Sequence, residues 1–194
     1  MLCNWVDFRM NYKVVVAVAG MPGSGKAVFR RVFTKMGFPV VVMGDVIREE
    51  AKLRNLEPTP ENLGTLMLNL RAADGPAAVA KRCVPKLEKA TERIVGVDGI
   101  RSLPEVNEFK THFPNFVLVA LHASPKTRYQ RLFRRKRSDD PQDWETFMER
   151  DLRELGVGMG DVIAAADYMI VNEGTFTQLN TRIKKILKEI LEDE

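Results

Sequence analysis

The sequence predicts an α/β fold of three layers, in which helices cover both faces of a five-stranded parallel sheet. Apolar strand-like segments alternate with amphipathic helical segments along the chain, which is the order that parallel strands joined by crossover helices require. The strand-like segments carry almost no charge, and this indicates strands buried on both faces. The 194 residues are enough for one such domain, which we expect over residues 12–194 after an N-terminal appendage over residues 1–11.

The strands are predicted from short β-branched runs, and the helices from apolar positions three and four residues apart. We predict strands at Lys13–Ala19, Phe38–Met43, Arg93–Asp98, Phe116–His122 and Asp167–Val171. We predict helices at Gly25–Met36, Asp45–Asn55, Pro60–Ala73, Pro76–Ala90, Pro104–His112, Pro125–Lys136, Pro141–Glu154 and Thr175–Glu192. Five of these helices begin at a proline, which is tolerated in a first turn because its missing N–H would have no helical partner there.

A glycine-rich turn after the first predicted strand carries the strongest functional signal. The spacing Gly20-x4-Gly25-Lys26 fits a Walker A phosphate loop, in which backbone N–H groups surround an anionic phosphate at a helix N-terminus. Glycines suit such a loop because the backbone must approach the phosphate closely. The lysine would reach the β- and γ-phosphates of ATP. The predicted cofactor-binding residues here are Gly20, Met21, Pro22, Gly23, Ser24, Gly25, Lys26 and Ala27.

The motif departs from its usual form at one position. Where Ser or Thr normally offers a ligand to Mg²⁺, this chain has Ala27, whose side chain has no oxygen. The loss of one direct ligand weakens metal binding without preventing it, because phosphates, water and a carboxylate still hold the ion. An ordinary tight turn between a strand and a helix is the alternative interpretation of this segment.

The composition restricts the expected location and partners. The longest uncharged apolar run is too short to cross a membrane, and the N-terminal residues lack a secretory signal pattern. Cys3 and Cys83 have no disulfide or metal spacing, so we expect a reducing, cytoplasmic location. The formal net charge is +4, which suits an anionic ligand. The basic run Arg128–Arg137 fits either a solvated helix face or an RNA-binding patch on composition alone.

Polar residues follow strand ends that a parallel sheet would bring to one edge, where ligands bind in such folds. Asp98 ends the third predicted strand, and an acid there would hold Mg²⁺ directly or through water, as a Walker B group does. Arg101 follows three residues later and presents several donors to a phosphate. Asp45 and Arg48 occupy a similar turn after the second strand. A helix cap is the alternative for each aspartate, and a surface position is the alternative for Arg101.

The segments Gly20–Lys26, Gly44–Arg48 and Asp98–Arg101 resemble, in order and interval, the adenylate kinase and wider nucleoside monophosphate kinase superfamily. The closest form is an archaeal adenylate-kinase-related group, and Val171–Leu179 also resembles a segment of dephospho-CoA kinase. The resemblance implies a P-loop NTPase fold with a helical acceptor-binding insertion at about residues 44–90 and an arginine-bearing helical lid at about residues 124–156.

The same resemblance implies roles for individual residues. Catalytic roles are expected for Lys26, Asp98, Arg101, Arg137 and Arg150, with Asp98 as the metal ligand. The acceptor is expected to bind Gly44, Asp45, Arg48 and Arg101. Further contacts to the donor nucleotide are expected from Arg128, Arg131, Asn172 and Gly174.

Together these features predict a P-loop phosphotransferase that moves the γ-phosphoryl group of ATP, with Mg²⁺, to a small-molecule nucleotide acceptor. We expect a monomer or homodimer without a membrane partner, and nucleic acid is not favoured because the aromatic residues form no base-stacking pattern. One alternative, favoured by Ala27, is a nucleotide-dependent switch or RNA-associated ATPase with weak or no kinase activity. Another alternative is an activity like that of dephospho-CoA kinase. The acceptor base stays open.

Overall fold

The computed structural model describes residues 13–137 and 140–192 of the chain. The predicted appendage over residues 1–11 lies outside these ranges. Among the helices within them, none combines the length and the apolar character that a membrane span requires.

The described strands form one five-stranded parallel sheet in the order β2-β3-β1-β4-β5. They are β1 (Val14–Ala19), β2 (Val40–Val42), β3 (Ile94–Asp98), β4 (Asn115–His122) and β5 (Tyr168–Val171). Val18 of β1 pairs with Asp98 of β3 on one side and with Val119 of β4 on the other. The carboxyl ends of these three strands therefore meet at one edge, and the predicted five-stranded parallel sheet is confirmed.

Helices connect and cover the strands. They are α1 (Lys26–Lys35), α2 (Met43–Leu53), α3 (Pro60–Asp74), α4 (Ala78–Lys89), α5 (Leu103–His112), α6 (Pro125–Arg135), α7 (Trp144–Val157), α8 (Met159–Ala164) and α9 (Phe176–Glu192). All except α8 overlap a predicted helix. The α2–α4 segment occupies the residues of the predicted acceptor-binding insertion, and the α6–α7 pair occupies those of the predicted lid.

Strand β1 contributes to two hydrophobic cores, because successive side chains of a strand point to opposite faces. Its even-numbered residues pack with α1 and α9 on one face of the sheet. Its odd-numbered residues pack with α2–α5 and α8 on the other face. All six residues of β1 are at most 1% exposed. The sequence VVVAVA is therefore apolar throughout because both of its faces are buried.

The helix boundaries differ from the prediction around α7 and α8. Helix α7 begins at Trp144 instead of Pro141, because the Asp143 carboxylate accepts a hydrogen bond from the backbone N–H of Thr146 at 2.8 Å and caps the helix there. Gly158, with a φ of 113°, ends α7 and lies immediately before α8. The short α8 was missing from the prediction, since its six residues are too few for a clear helical period.

An aromatic cluster joins α6 to α7. The ring centroid of Tyr129 lies 5.3 Å from that of Trp144 and 5.6 Å from that of Phe147, both in edge-on geometry. Phe147 is buried, whereas Trp144 is 45% exposed. Edge-on contacts of this kind stabilise aromatic pairs. The two helices therefore pack as a unit beyond the end of β4.

Candidate active site

The loop between β1 and α1 lies where the phosphate loop was predicted. Gly20, Gly23 and Gly25 have φ values of 148°, 82° and 116°, a region that residues with side chains rarely adopt. A Cβ atom at Gly20 would also collide with the carbonyl oxygen of Leu121 and lie 2.6 Å from Ser24 Oγ. Conformation and space therefore both require glycine at this position, as expected for a backbone that wraps an anion at a helix N-terminus.

The loop residues divide into two groups. Met21 and Ser24 are buried, and the backbone N–H of Ser24 donates to the carbonyl oxygen of Met21 at 3.1 Å, which closes a turn. The others line a cleft at the carboxyl edge of the sheet, and they are Gly20, Pro22, Gly23, Gly25, Lys26 and Ala27. Met21 and Ser24 therefore support the loop from within the protein.

Lys26 folds back over its own loop. Its Nζ donates hydrogen bonds to the carbonyl oxygens of Gly20 and Met21, the second at 3.3 Å. Burial lowers the pKa of Lys26 from 10.5 to about 8, and the carboxylates of Asp98 and Glu154 oppose this shift. A phosphate in the loop would give this desolvated cation an anionic partner.

Asp98, the last residue of β3, borders the same cleft. Its Oδ2 lies 3.6 Å from Arg30 Nη1, and its side chain is 12% exposed. Burial raises the pKa of Asp98, whereas the positive charges of Lys26, Arg30 and Arg101 act in the opposite direction. The carboxylate is therefore held among cations and open to the cleft.

A carboxylate at this place fits a Mg²⁺ ion that arrives with a nucleotide. Mg²⁺ is usually bound by one or two carboxylates, by water and by substrate phosphates. Ala27 lies exposed at the start of α1 and offers no oxygen. The described residues contain no group of three or more His, Cys, Asp or Glu side chains that could hold a metal ion. Asp98 would thus be the chief protein ligand, and phosphates and water would supply the others.

The cleft has a volume of about 490 Å³ and a strong excess of positive charge. Its cationic lining residues are Lys26, Arg30, Arg48, Arg101, Arg131, Arg135, Arg137 and Arg150. Its acidic lining residues are Asp98 and Glu154. A cleft with this charge attracts anionic ligands. The structure thus brings together the predicted cationic residues of the loop, the acceptor side and the α6–α7 pair, apart from Arg128.

Of the residues predicted to bind the acceptor, Gly44, Arg48 and Arg101 line the cleft, whereas Asp45 is absent from the described lining. Asp45 instead forms an exposed ion pair with Arg48. Arg101 Nη1 lies 3.2 Å from Glu154 Oε1 on α7. Both arginines are thus held at the cleft by carboxylates, which an acceptor phosphate would have to displace.

The structure does not bring Arg128, which was predicted to contact the donor nucleotide, to the cleft. Arg128 is 4% exposed and makes a two-point ion pair with Asp151 of α7. Its Nε donates to the carbonyl oxygen of Ala123 at 3.1 Å, and Nη1 donates to that of Pro22 at 3.2 Å. The guanidinium also lies over the Phe147 ring, 5.1 Å from the centroid. Arg128 therefore links the phosphate loop to α7 and does not line the cleft.

Asn172 and Gly174 are likewise absent from the described cleft lining. The buried Asn172 donates from Nδ2 to the carbonyl oxygen of Ser24 at 2.8 Å. Its Oδ1 accepts a hydrogen bond from Arg131 Nη2 at 3.3 Å. Asn172 thus fixes the phosphate loop and orients a cleft arginine, while Gly174 lies beside the side chain of Gln178.

Three charged residues of the cleft were missing from the prediction. Each lies four residues after a predicted site residue on the same helix, and the pairs are Lys26 and Arg30, Arg131 and Arg135, and Arg150 and Glu154. Residues four apart lie on the same face of a helix. The helical period was therefore a signal that could have identified all three.

The parallel sheet, the glycine loop before α1 and the acid at the end of β3 define a P-loop nucleoside triphosphatase fold of the kinase type. The AAA domain family designated AAA_17 matches residues 19–148, which cover the loop, Asp98 and most of the α6–α7 pair.

Relatives with similar sequences extend the match to nearly the whole chain. The UPF0200 protein of Pyrococcus furiosus is 51% identical over 183 residues, which cover 92% of this chain and 98% of the relative. The UPF0200 protein of Hyperthermus butylicus is 49% identical over 179 residues, which cover 92% of this chain and 96% of the relative. This chain therefore belongs to the UPF0200 family, and its relatives from these organisms are archaeal.

Solved structures share the fold at low sequence identity. Shikimate kinase from Acinetobacter baumannii has a TM-score of 0.58 and 16% identity, and the match covers 94% of this chain and 95% of the kinase. A gluconokinase from Sinorhizobium meliloti has a TM-score of 0.56 and 15% identity, with the same coverage of both chains. These likenesses extend the P-loop kinase fold to the whole domain.

Proposed function

We propose that this protein is an ATP-dependent phosphotransferase that moves the γ-phosphoryl group of ATP to a nucleotide-type acceptor, as nucleoside monophosphate kinases do. The observation that carries the proposal is the single cleft shared by the phosphate loop, Asp98 and arginines from two opposite sides of the site. ATP and a nucleotide acceptor both bring phosphate groups, so a cleft with this excess of positive charge suits two anionic ligands. Because ATP and nucleotides are substrates found in the cytoplasm, the proposal includes a cytoplasmic location for this protein.

On the donor side, the loop N–H groups and Lys26 would hold the β- and γ-phosphates. Mg²⁺, when bound beside Asp98, would neutralise part of their charge. Transfer breaks the bond between the γ-phosphorus and the bridging oxygen, forms a bond to an oxygen of the acceptor phosphate, and releases ADP. Arg137 and Arg150 line the cleft from the α6–α7 side, where they would stabilise the charge on the transferring group.

On the acceptor side, Arg48 and Arg101 would bind the acceptor phosphate. Arg101 lies three residues after Asp98, and within the described part of the chain its guanidinium forms an ion pair with Glu154 of α7. Acceptor binding would exchange that carboxylate for a phosphate, which also forms charge-assisted hydrogen bonds with arginine. Because little covalent chemistry falls to the protein in phosphoryl transfer, this positioning would supply most of the rate.

The test is an acceptor screen. The purified chain is incubated with ATP and Mg²⁺ and with AMP, CMP, UMP, GMP or dephospho-CoA, and ADP release and the phosphorylated product are both measured. We expect one acceptor to give turnover that Lys26→Ala abolishes. A wild-type chain that binds ATP but transfers phosphate to none of the acceptors would contradict the proposal, and product from dephospho-CoA alone would favour the dephospho-CoA kinase alternative.

A nucleotide-dependent switch is the second candidate, and two observations favour it. Ala27 removes a usual metal ligand, and the ion pair between Arg101 and Glu154 links the carboxyl edge of the sheet to α7. A nucleotide that broke this pair would alter α7 without any phosphate transfer. Limited proteolysis with ATP, with ADP and without nucleotide distinguishes the two candidates, because a switch would show nucleotide-dependent cleavage in a chain that lacks acceptor-dependent turnover.

A further inference from the structure

A second cavity, of about 580 Å³, lies beside the outer surface of α1 and the edge strand β2. Ala27, Arg30 and Arg137 line both this cavity and the cleft. The two spaces are therefore neighbours, and a ligand held in one of them could extend into the other.

The second cavity is lined by positive charge without negative charge. Its cationic residues are Arg30, Arg31, Lys35 and Arg137, and no described acidic residue lines it. Within residues 13–137 and 140–192, no carboxylate forms an ion pair with the side chains of Arg31, Lys35 or Arg137. Like charges placed together repel one another unless an anion lies between them. The cavity is therefore suited to an anionic group.

The fold itself does not require this charge. Ala27, Arg30, Arg31, Thr34 and Lys35 are spaced so that they share one face of α1. The opposite face carries the buried core residues of the helix. From Ala27 to Lys35 this face extends over about 12 Å along the helix axis, and its charged residues are Arg30, Arg31 and Lys35. Since none of these side chains is among the buried residues of α1, core packing does not explain their shared charge, whereas an anionic ligand would.

The lining also indicates the chemistry of the ligand. Arginine forks, a lysine and the Thr34 hydroxyl are the groups that bind phosphate oxygens. No described aromatic side chain lines the cavity, whereas sites for single-stranded nucleic acid usually stack bases on aromatic rings. The chemistry therefore favours a phosphate group over a base.

We propose that this cavity binds a second phosphate group of the acceptor, so that the preferred acceptor is a nucleotide phosphorylated at two separate positions. This inference rests on the proposed function. The first phosphate would receive the γ-phosphoryl group near Arg48 and Arg101, and the second would lie against Arg31 and Lys35. Arg30 and Arg137, which border both spaces, would lie between the two phosphates.

The experiment measures binding by calorimetry to the full chain saturated with a non-hydrolysable ATP analogue. The probes are the nucleoside 3′,5′-bisphosphates and the matching 5′-monophosphates of the four RNA bases. We expect the best bisphosphate to bind about tenfold more tightly than its monophosphate, and this ratio to fall below about threefold in the Arg31→Gln/Lys35→Gln variant. The Lys184→Gln/Lys188→Gln variant removes two charges at the same spacing on α9 and should keep the ratio.

The outcomes separate the two proposals. If the ATP analogue binds but the wild type does not prefer a second phosphate, the second-phosphate site is wrong and the proposed function stands. If the ATP analogue does not bind, the proposed function fails, and titration of the same probes onto the free chain still tests the cavity. If a 5′-phosphorylated oligoribonucleotide binds more tightly than every bisphosphate and the Arg31→Gln/Lys35→Gln variant weakens it, the cavity is a nucleic-acid site and this inference is overturned.

Discussion

Helix α6 places arginines in two contrasting environments within two turns. Arg128 is buried, with its guanidinium bound by Asp151 and by backbone carbonyl groups beneath the phosphate loop. Arg131 and Arg135, one and two turns further along the helix, line the cleft. The same residue type therefore supports the loop near the start of the helix and borders the cleft one and two turns further along. The surroundings decide whether an arginine contributes to stability or to function.

The largest expected effect lies on the buried side. Asp151→Ala leaves the Arg128 charge buried without its partner, so we expect the free energy of unfolding to fall by about 3–5 kcal/mol. Chemical denaturation followed by circular dichroism measures this loss. Arg137→Ala, at the cleft, should change the free energy of unfolding by less than about 0.5 kcal/mol. The double variant Arg128→Met/Asp151→Leu should regain most of the stability, and an Asp151→Ala chain as stable as the wild type would contradict the comparison.

The cleft arginines should affect catalysis instead of folding. Arg150→Ala or Arg137→Ala should lower kcat by about a hundredfold, the usual effect of losing one donor that stabilises transition-state charge. Arg48→Ala should chiefly raise the acceptor KM, because it removes a ground-state phosphate contact. Steady-state kinetics with the acceptor found in the screen measures both. If variants of α6 and α7 keep full phosphate transfer but lose binding to RNA or to a partner protein, the α6–α7 surface is an interaction site.

Lys26→Ala tests the phosphate loop, which Arg128 supports and which borders the same cleft as Arg131 and Arg135. We expect ATP affinity to fall about tenfold or more, or at least about 1.4 kcal/mol, because the loop loses its cation. Calorimetry with ATP provides the measurement, and Lys184→Ala on α9 is the matched control. If the wild type and Lys26→Ala bind ATP with equal affinity, this loop is not the ATP site.

The lowered pKa of Lys26 gives a smaller, pH-dependent effect. The free protein loses the Lys26 proton near pH 8, while bound phosphate would raise that pKa, so ATP binding above pH 8 takes up a proton. ATP affinity should therefore fall about threefold between pH 7.5 and 8.5, as the protonated fraction drops. Calorimetry in buffers of different ionisation enthalpy measures the proton uptake. Lys26→Arg, which stays charged, should show no such dependence, and proton release by the wild type would contradict the argument.

The smallest expected effect is at Ala27. Ala27→Ser supplies the missing oxygen, so we expect the Mg²⁺ concentration for half-maximal turnover to fall about twofold to threefold. Turnover measured against Mg²⁺ concentration in both proteins checks this, with Ala27→Gly as a variant that adds no ligand. Identical curves for wild type and Ala27→Ser would mean that phosphates, water and Asp98 hold the metal unaided.

The central strand β1 was predictable because burial on both of its faces gives it a continuous apolar sequence. The VVVAVA segment is apolar at every position, since its side chains fill two cores. The residues at strand ends, such as Asp98 and Arg101, were also predictable, because parallel strands bring their carboxyl ends to one edge. Short or locally capped elements such as α8 were not, since their limits depend on single residues such as Gly158.

The roles of the α6 arginines could not be separated from the sequence. Arg128, Arg131 and Arg135 share one face of this helix, and spacing alone does not show which of them is buried. The partner that decides it, Asp151, lies 23 residues later and belongs to another helix. Arg30 lies outside the phosphate-loop motif, one helical turn after Lys26 on α1, so the motif itself does not identify it.

The aromatic contact between the two helices also gives the molecule a built-in optical probe. Trp144 lies at the start of α7, with its indole against Tyr129 and 45% exposed to solvent. The sequence holds one other tryptophan, Trp5, so Trp5→Phe leaves a single indole emitter. Because Arg150 and Glu154 of the same helix line the cleft, a ligand that shifts α7 will change the emission of this indole without any added label.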